Sequence, residues 1–170
     1  MSGTSNKLGL RMYHLTMYNL SGIQKGIQSY HAGIEYLLKY PKDKLFMEWA
    51  RNHKTVYILN GGTSNEGVVD YIDKKIKKTH LLSKGSMELH EEQLKKIGIK
   101  YAKFNEPDLN WSLSGIAFLV DERVFDKKKY PDYDINELVL NPPTYNKWLK
   151  LIGGKQNAEL REFLKPFKLA

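Results

Sequence analysis

The stretch LSGIQKGIQSYHAGIEYLLKY, residues 20–40, sets the architecture that this sequence predicts. Its large apolar residues follow one another mostly at steps of three and four, which is the spacing of an amphipathic helix. A second line along the same helix is polar, because amide, imidazole and carboxylate side chains recur at the same steps. The apolar line is Ile23, Ile27, Tyr30, Ile34, Leu37 and Leu38, and the polar line is Gln24, Gln28, His31 and Glu35.

The helix has clear boundaries in the sequence. GLRMYHLTMY, residues 9–18, precedes it and is rich in aromatic and branched side chains, as strands are. Ser21 is a suitable N-cap for the helix, and Pro41 ends it. A strand followed closely by a helix is the unit from which α/β domains are built.

Composition excludes several classes of protein. The chain has 170 residues, of which 41% are hydrophobic and 27% charged, as in one globular domain. It has no cysteine, so disulfides and thiolate metal sites are excluded. The formal net charge of +8 favours an anionic partner, such as a nucleotide, a nucleic acid or an acidic protein surface.

Targeting signals are not evident. No apolar run approaches the length of a membrane span, and MSGTSNKLG lacks the apolar core of a signal peptide. We therefore expect a soluble cytoplasmic protein without membrane partners, and a disordered tail or a non-native remnant at residues 1–8.

Further elements follow along the chain. KLFMEWARN predicts a short helix, capped by Asp43, with Leu45, Phe46 and Trp49 turned inward. KTVYILN, residues 54–60, is nearly continuous in apolar residues and predicts a strand covered on both faces. Helices are predicted at about residues 66–78 and at 87–97, the second closed by Gly98 as a C-cap. Two further strands are predicted at residues 99–104 and 113–121, and helical pieces near the C-terminus.

The order of these elements predicts an α/β fold, with residues 122–170 as an irregular and helical extension. Ligands of such sheets usually bind at strand ends and helix N-termini. The loops at residues 19–25 and 60–64 are therefore the first places to expect a site.

Several motifs of this chain resemble the type-II peptidyl-tRNA hydrolases. Gln28-Ser29-Tyr30-His31-Ala32 matches the Q-x-x-H-A half of the family's helix signature. Trp49 and the strand beginning KTV match the next block, and NEPDLN and LSGIAFLV stand where the family has its carboxylate loop and last strand. IQKGIQSxH, the Gly-Gly loop and EPDLN are most similar to a bacteriophage branch of small proteins.

The resemblance spans residues 9–121. It implies a three-layer α/β/α sandwich around a mixed four-stranded sheet, with residues 122–170 packed on the same domain. It also implies a phage origin and, with it, the cytoplasm of the host cell.

Two departures from the family concern its catalytic residues. Gln24 stands where the enzymes have lysine, and Lys25 is rotated by about 100° around the helix from that position. The loop Glu106-Pro107-Asp108-Leu109-Asn110 keeps a carboxylate but lacks the family's arginine and threonine. We therefore expect a scaffold that binds its ligand without cleaving it.

The expected ligand is a nucleotide or a nucleotide-derived small molecule that carries phosphate. A helix N-terminus and glycine-rich turns present N–H groups to anions, and amides can recognise a base or ribose. In a phage protein, binding such a molecule would sequester a host immune signal. No metal or cofactor is expected. The predicted ligand-binding residues are Ser21, Gly22, Gln24, Lys25, Gln28, His31, Asn60, Gly61, Gly62, Thr63, Asp108 and Asn110.

Alternative interpretations remain open. The structural one is that Gln28 and His31 only satisfy neighbouring backbone groups. The enzymatic one is a hydrolase of peptidyl-tRNA or of a nucleotide phosphodiester, since His14-Leu15-Thr16 and His53-Lys54-Thr55 both read H-x-T, as in two-histidine phosphoesterases. Its candidate catalytic residues are His31, His14, Lys25, Glu106 and Asp108.

A third hypothesis is an interaction module that binds a host protein through its basic surface. tRNA and further copies of the chain are additional candidate partners. Aromatic residues of the C-terminal extension could stack a base, although such residues more often pack in a core. These include Tyr130, Tyr133, Tyr145, Trp148, Phe163 and Phe167.

Overall fold

The structure is a computed structural model that describes residues 7–70, 77–81, 84–134 and 142–170. The first half of the chain contains strand β1 and the long helix α1, followed by a short helix, α2, that continues into one π-helical turn. Three strands then follow. These elements are β1 (Leu10–Met17), α1 (Gly22–Lys39), α2 (Lys44–Glu48), the π turn (Trp49–His53), β2 (Val56–Gly62), β3 (Glu66–Asp70) and β4 (Lys77–Leu81).

In the described part of the second half, the chain forms a helix, two strands joined by a 3₁₀ turn, and three C-terminal helices. These elements are α3 (Ser86–Ile97), β5 (Tyr101–Glu106), the 3₁₀ turn (Pro107–Leu109), β6 (Ser112–Asp121), α4 (Glu122–Phe125), α5 (Pro142–Leu151) and α6 (Lys155–Leu164). The predictions of β1, β6 and a helix closed by Gly98 are confirmed, and Gly98 has the left-handed φ of 80° that favours glycine there.

Four strands form one open sheet in the order β2-β1-β6-β5. β1 and β2 are parallel, whereas β6 runs antiparallel to both of its neighbours. The expected α/β fold with a mixed four-stranded sheet is therefore confirmed. Since β1, β2 and β5 point the same way, their carboxyl ends lie side by side. In the following, the sheet edge means this row of strand ends.

Successive side chains of β1 point to opposite faces of the sheet, and helices pack against the side chains on each face. Met12 lies in a core cluster with Ala32 and Tyr36 of α1. Tyr13 and its neighbours on the other face pack in a second cluster against α3 and α6. That cluster includes Leu15, Ile116, Phe118, Met87, Leu94, Leu160 and Phe163.

The orientation of α1 is the reverse of what its amphipathic pattern indicates. Gln28 and Ser29 are buried, with 5% and 4% of their surface exposed, while five of the six residues of the apolar line face outward and only Leu37 packs against the core. The cause lies in β6, where a Cβ on Gly115 would come within 2.8 Å of the backbone oxygen of Gln28 and 3.2 Å of Ala32. Helix and sheet touch too closely there for Ile or Leu, so the small and hydrogen-bonded side chains lie inside.

The predicted helix at residues 66–78 is wrong. β3 and β4 form a two-stranded antiparallel sheet in register from Glu66 opposite Leu81 to Asp70 opposite Lys77. Adjacent β-branched residues, Val68 and Val69, favour a strand over a helix. Residues 71–76, which fall within that predicted helix, lie outside the described part of the chain.

Two predictions of burial are also wrong. β2 is not covered on both faces as predicted, since 45% of Val56 is exposed, and it is an outer strand of the sheet. The C-terminal tail covers its outer edge, because Asn60 N donates to Lys168 O and Ala170 N donates to Ile58 O, both at 3.0 Å. In α2, Phe46 is buried as predicted, but 58% of Leu45 is exposed.

A buried arginine on α6 joins distant segments of the C-terminal extension to one another. Arg161, with 2% of its surface exposed, donates to the backbone oxygens of Arg123 and Tyr130, both at 2.7 Å. The same guanidinium donates to Asp132 Oδ1 at 2.8 Å. A planar group with five donors can join three segments of chain in this way.

Candidate ligand-binding site

The fold brings the predicted site residues to one edge of the sheet. Tyr18 N donates to Gly62 O at 2.9 Å, which joins the loop after β1 to the end of β2. Glu106 ends β5 at the same edge. Residues from three distant parts of the sequence are thus placed near one another, as the strand-end argument expects.

The start of α1 forms a capping box. Gln24 N donates to Ser21 Oγ at 3.3 Å, and Ser21 N donates to Gln24 Oε1 at 2.9 Å. Both residues are exposed, and no atom lies within 4 Å of a Cβ built on Gly22. Gln24 therefore stabilises its own helix, and its carbonyl oxygen is already occupied.

Gln28 is the centre of a hydrogen-bond network beneath α1. Its Nε2 donates to Glu106 Oε2 at 2.6 Å, and its Oε1 accepts from Ser114 Oγ at 2.6 Å. Ser114 lies at a register shift between β5 and β6, where Phe104 pairs with Gly115 but Asn105 pairs with Leu113. A bulge of this kind redirects a side chain, and here it places the hydroxyl under the amide.

The carboxylate of Glu106 closes this network at the surface. Its Oε1 accepts from Asp108 N at 3.3 Å, so the acid is held by both the helix and its own loop. Asn110 and Trp111 have left-handed φ values of 54° and 60°. Such backbone costs free energy in a tryptophan, and strained turns of this kind cluster at functional sites.

Two other predicted site residues, His31 and Lys25, are half-buried at this edge. The His31 imidazole is half-buried and stacks on Phe104, with ring centres 4.5 Å apart. Lys25 is half-buried too, and it has no carboxylate within 4 Å among the described residues. A phosphate at this edge would meet Lys25 but also the carboxylates of Glu106 and Asp108.

The loop at residues 60–64 uses its N–H groups within the protein. Gly62 N donates to Asn60 Oδ1 at 3.0 Å, and Thr63 N donates to Ser86 Oγ at 3.1 Å. Gly61 is required because a Cβ there would overlap the sulfur of Met87. The Gly-Gly pair is thus explained by a tight approach of α3, and these two N–H groups are not free for an anion.

The two H-x-T motifs do not meet in one site. His14 is 3% exposed and faces α1, where a Cβ on Gly33 would lie 3.6 Å from its Cε1. Burial lowers the pKa of His14 to about 4, so the imidazole is neutral near pH 7. His53 precedes β2, whereas His14 is level with Ile58, which places the two histidines roughly 15 Å apart along the strands.

A large cleft lies between α3, α5 and α6, on the face of the sheet opposite α1. Its volume is about 700 Å³. Tyr133, Tyr145 and Trp148 form one wall, with ring centres 5.4–5.7 Å apart, and Trp148 Nε1 donates to Pro131 O at 2.9 Å. We call this the aromatic cleft. It is lined by Gln93, Lys96, Ile97, Tyr133, Tyr145, Trp148, Lys155, Ala158, Glu159, Glu162, Phe163 and Lys165.

A second, smaller cleft of about 370 Å³ lies beside it, and Lys165 lines both. Arg11 projects into the smaller cleft between two aromatic rings, 3.7 Å from the ring centre of Phe125 and 4.7 Å from that of Tyr57. These cation–π contacts account for the position of the guanidinium.

The sequence indicated the aromatic residues of the cleft but not the cleft itself. Tyr133, Tyr145 and Trp148 stood out only as aromatic residues of the extension, and Lys96 was not among the predicted site residues. The cleft exists because α5 and α6 fold back on α3, and no local pattern predicts that packing.

Comparisons with known proteins give no relative: no family model, no curated protein and no solved structure matches this chain. None of the described helices is both long and apolar enough to cross a lipid bilayer. Among the described residues, no three histidine, aspartate or glutamate side chains are grouped so that they could hold a metal ion.

Proposed function

We propose that this protein binds a nucleotide, or a related anion that carries a flat base, in the aromatic cleft. The observation that carries the proposal is the pairing of an aromatic wall with a lysine-bearing rim in one cavity. A volume of about 700 Å³ lies within the range of small-molecule sites, roughly 300–1,000 Å³.

The aromatic wall supplies the binding energy for a base. A base stacked on an aromatic side chain contributes roughly 1–3 kcal/mol, whatever its identity. Tyr145 and Trp148 are half-buried and stacked at 25° to each other, so their conformations are already restricted. A ligand that inserts a ring here orders few additional side chains.

Lys96 is the cation best placed for a phosphate. Lys155 and Lys165 are partly neutralised by Glu159 at 3.7 Å and by Glu162 at 2.6 Å. Lys96 has no carboxylate within 4 Å among the described residues. The net charge of +8 adds a general attraction for anions.

The lining favours binding without cleavage. None of the residues that line the cleft is a histidine, and each of its two glutamates lies within 4 Å of a lysine. We propose retention of an intact ligand as the role of the site. In a bacteriophage protein, which the resemblance implies, the result would be sequestration of a host nucleotide signal.

The test is a titration with three probes: ADP, adenosine and inorganic pyrophosphate. We expect ADP to bind more tightly than either partial probe and to change Trp148 fluorescence. Tyr145→Ala should weaken ADP and adenosine alike, whereas Lys96→Ala should weaken ADP and pyrophosphate by about fivefold, since one charge pair in water is worth about 1 kcal/mol. Lys95→Ala is the matched control, because Lys95 is the exposed neighbour on α3 and does not line the cleft.

The outcome of this titration is decisive either way. Equal affinities of all variants for all three probes would remove the aromatic cleft from consideration. Mass spectrometry of the ADP released on denaturation separates the two roles, because a binder returns intact ADP and an enzyme returns AMP.

The hydrogen bond between Gln28 and Glu106 favours a second candidate function, hydrolysis of peptidyl-tRNA at the sheet edge. It joins the glutamine of the Q-x-x-H-A motif to the carboxylate loop, the two places where this chain resembles the family. Lys25 and His31 lie on the same helix and would supply charge and a proton acceptor. Glu106→Gln should abolish turnover of peptidyl-tRNA if this function is right, while Tyr145→Ala should leave it unchanged.

We also infer that the fold is the three-layer sandwich of that family. Its support is the order of motif-bearing elements: Gln28 and His31 on the first helix, Trp49 ahead of the second strand, and Glu106 ahead of the last. The chain departs from the family between β2 and β5, where the hairpin of β3 and β4 and one helix replace a helix pair.

A further inference from the structure

The outer face of α1 exposes five large apolar side chains in one line. Their exposed fractions are 80% for Ile23, 47% for Ile27, 69% for Tyr30, 37% for Ile34 and 67% for Leu38. We call these five residues the outer stripe. Single exposed apolar residues are ordinary on protein surfaces, but a contiguous patch of this kind marks an interaction site.

Two glycines run beside the stripe without an explanation inside the monomer. No atom lies within 4 Å of a Cβ built on Gly22 or on Gly26. A glycine within a helix is unfavourable, so its presence needs a reason. Glycines four residues apart let a second helix approach the backbone closely, as small residues do at helix–helix contacts.

The spacing of the stripe is symmetric about its centre. Ile23 and Leu38 are equidistant from the point between residues 30 and 31, and so are Ile27 and Ile34. A two-fold axis requires that if residue i contacts residue j, then j contacts i. An antiparallel copy of α1 satisfies that condition for these two pairs, and it places Tyr30 within one residue of the axis.

We propose that α1 is a self-association surface on which a second copy of this chain pairs antiparallel, with the two-fold axis passing near Tyr30. Ile23 then meets the partner's Leu38, and Ile27 meets the partner's Ile34. No charged residue belongs to the stripe. The charged residues of the helix, Lys25, Glu35 and Lys39, lie roughly 100° or more around the helix from the centre of the stripe.

The size of the stripe predicts a dimer that depends on concentration. The exposed fractions amount to about three complete side chains on each copy. A stable interface usually buries about 800 Å² on each partner, which is more than three side chains provide. We therefore expect monomer and dimer to exchange at micromolar concentrations, where a variant can shift the balance in either direction.

Single-cysteine variants test the antiparallel arrangement directly, because the native chain has no cysteine. In the proposed dimer Tyr30→Cys lies beside its own copy and forms a disulfide on oxidation. Ile23→Cys lies roughly 22 Å from its own copy, since 15 residues separate positions 23 and 38, and cannot do so. An equal mixture of Ile23→Cys and Leu38→Cys should give the mixed disulfide.

Cross-linking of Ile23→Cys with itself would overturn the antiparallel arrangement and indicate a parallel one. Failure of both Tyr30→Cys and the mixture to cross-link would overturn self-association through α1. Circular dichroism and the melting temperature of each reduced variant establish that it is folded before oxidation.

Sedimentation equilibrium provides an independent measurement. Ile27→Glu should raise the dissociation constant of the dimer at least about tenfold, because the dimer contains the substitution twice. Leu89→Glu in α3 is the matched control, with 48% of Leu89 exposed against 47% of Ile27, and it should leave the constant unchanged. A wild-type chain that stays monomeric up to millimolar concentration, or equal effects of the two substitutions, would refute the proposal.

Discussion

Acidification should destabilise this protein through one buried histidine. His14 lies on β1 beneath α1 with 3% of its surface exposed, and its Nδ1 has no hydrogen-bond partner. Burial lowers its pKa to about 4, from 6.5 in the unfolded chain. Between these two values the unfolded chain binds a proton that the folded protein does not.

The sign and size of the effect follow from that difference. Wherever the unfolded state binds more protons, the free energy of unfolding falls as the pH falls. The contribution is fully present above pH 6.5 and is lost progressively down to about pH 4. A lowering of about 2.5 pKa units at 1.36 kcal/mol each corresponds to about 3 kcal/mol.

The assay is urea denaturation of the wild type and of His14→Leu at several pH values between 7 and 4. Burial also lowers the pKa of His90, and hydrogen bonds and charges lower those of Asp43 and Asp132, so the wild type loses stability for several reasons. The difference between the two proteins cancels these common contributions. We expect His14→Leu to be at least as stable as the wild type at pH 7, since it removes an unpaired polar atom, and to gain on it by about 3 kcal/mol at pH 4.

A stability difference that does not change with pH would refute this reasoning. It would mean that the imidazole gains a proton as easily in the folded protein as in water, through solvent or a partner close to Nδ1. An unchanged slope against urea in both proteins confirms that the comparison concerns the same folded and unfolded states.

Three further predictions concern the packing, and urea denaturation or thermal melting tests each of them. Ser114→Ala should lower the free energy of unfolding by about 1–3 kcal/mol, because it leaves the buried Oε1 of Gln28 without a donor. The double variant with Gln28→Leu should lose less than the sum of the losses of the two single variants, and strictly additive losses would contradict the hydrogen bond. Gly61→Ala should lower the free energy of unfolding by about 1–3 kcal/mol, because the added methyl group overlaps its neighbours. Gly26→Ala places its methyl group in open space and should raise the free energy of unfolding by about 0.5–1 kcal/mol. The reverse order of the two effects would be inconsistent with the fold. Arg161→Lys should cost roughly 3 kcal/mol because an ammonium group cannot join three segments, and a melting temperature equal to that of the wild type would rule this out.

Local sequence patterns predicted those elements that depend on neighbouring residues. Gly98 closes α3 in the left-handed conformation that a C-cap glycine adopts, and Ser21 caps α1. Runs of aromatic, branched and other apolar residues placed β1 and β6 within one residue of their ends. In each case the deciding interaction spans only a few residues, so the sequence contains all of it.

The hairpin of β3 and β4 was not predicted, because its apolar residues also fit a helical spacing. Pairing with a second strand decides between the two, and that partner is not visible in the pattern of residues 66–70. The same limit applies to β2, whose apolar run indicated a strand covered on both faces although 45% of Val56 is exposed.

The candidate sites depend still more on tertiary structure. Gln28 and Glu106 are 78 residues apart, and Gln28 and Ser114 are 86 apart, so only the strand order brings them together. The aromatic cleft requires α5 and α6 to fold back on α3, which depends on the buried contacts of Arg161 and on the apolar side chains of α6.

The sequence by itself determined that this is an α/β protein with a long first helix, and that the helix has an apolar and a polar side. It did not determine which side faces the sheet. The tertiary structure decided that, because Gly115 brings β6 too close to α1 for a large side chain, and because Ser114 and Glu106 offer partners to a buried amide. Hydrophobicity sets how much apolar surface a helix carries, but the shape and hydrogen-bonding groups of the opposing surface decide which side it buries.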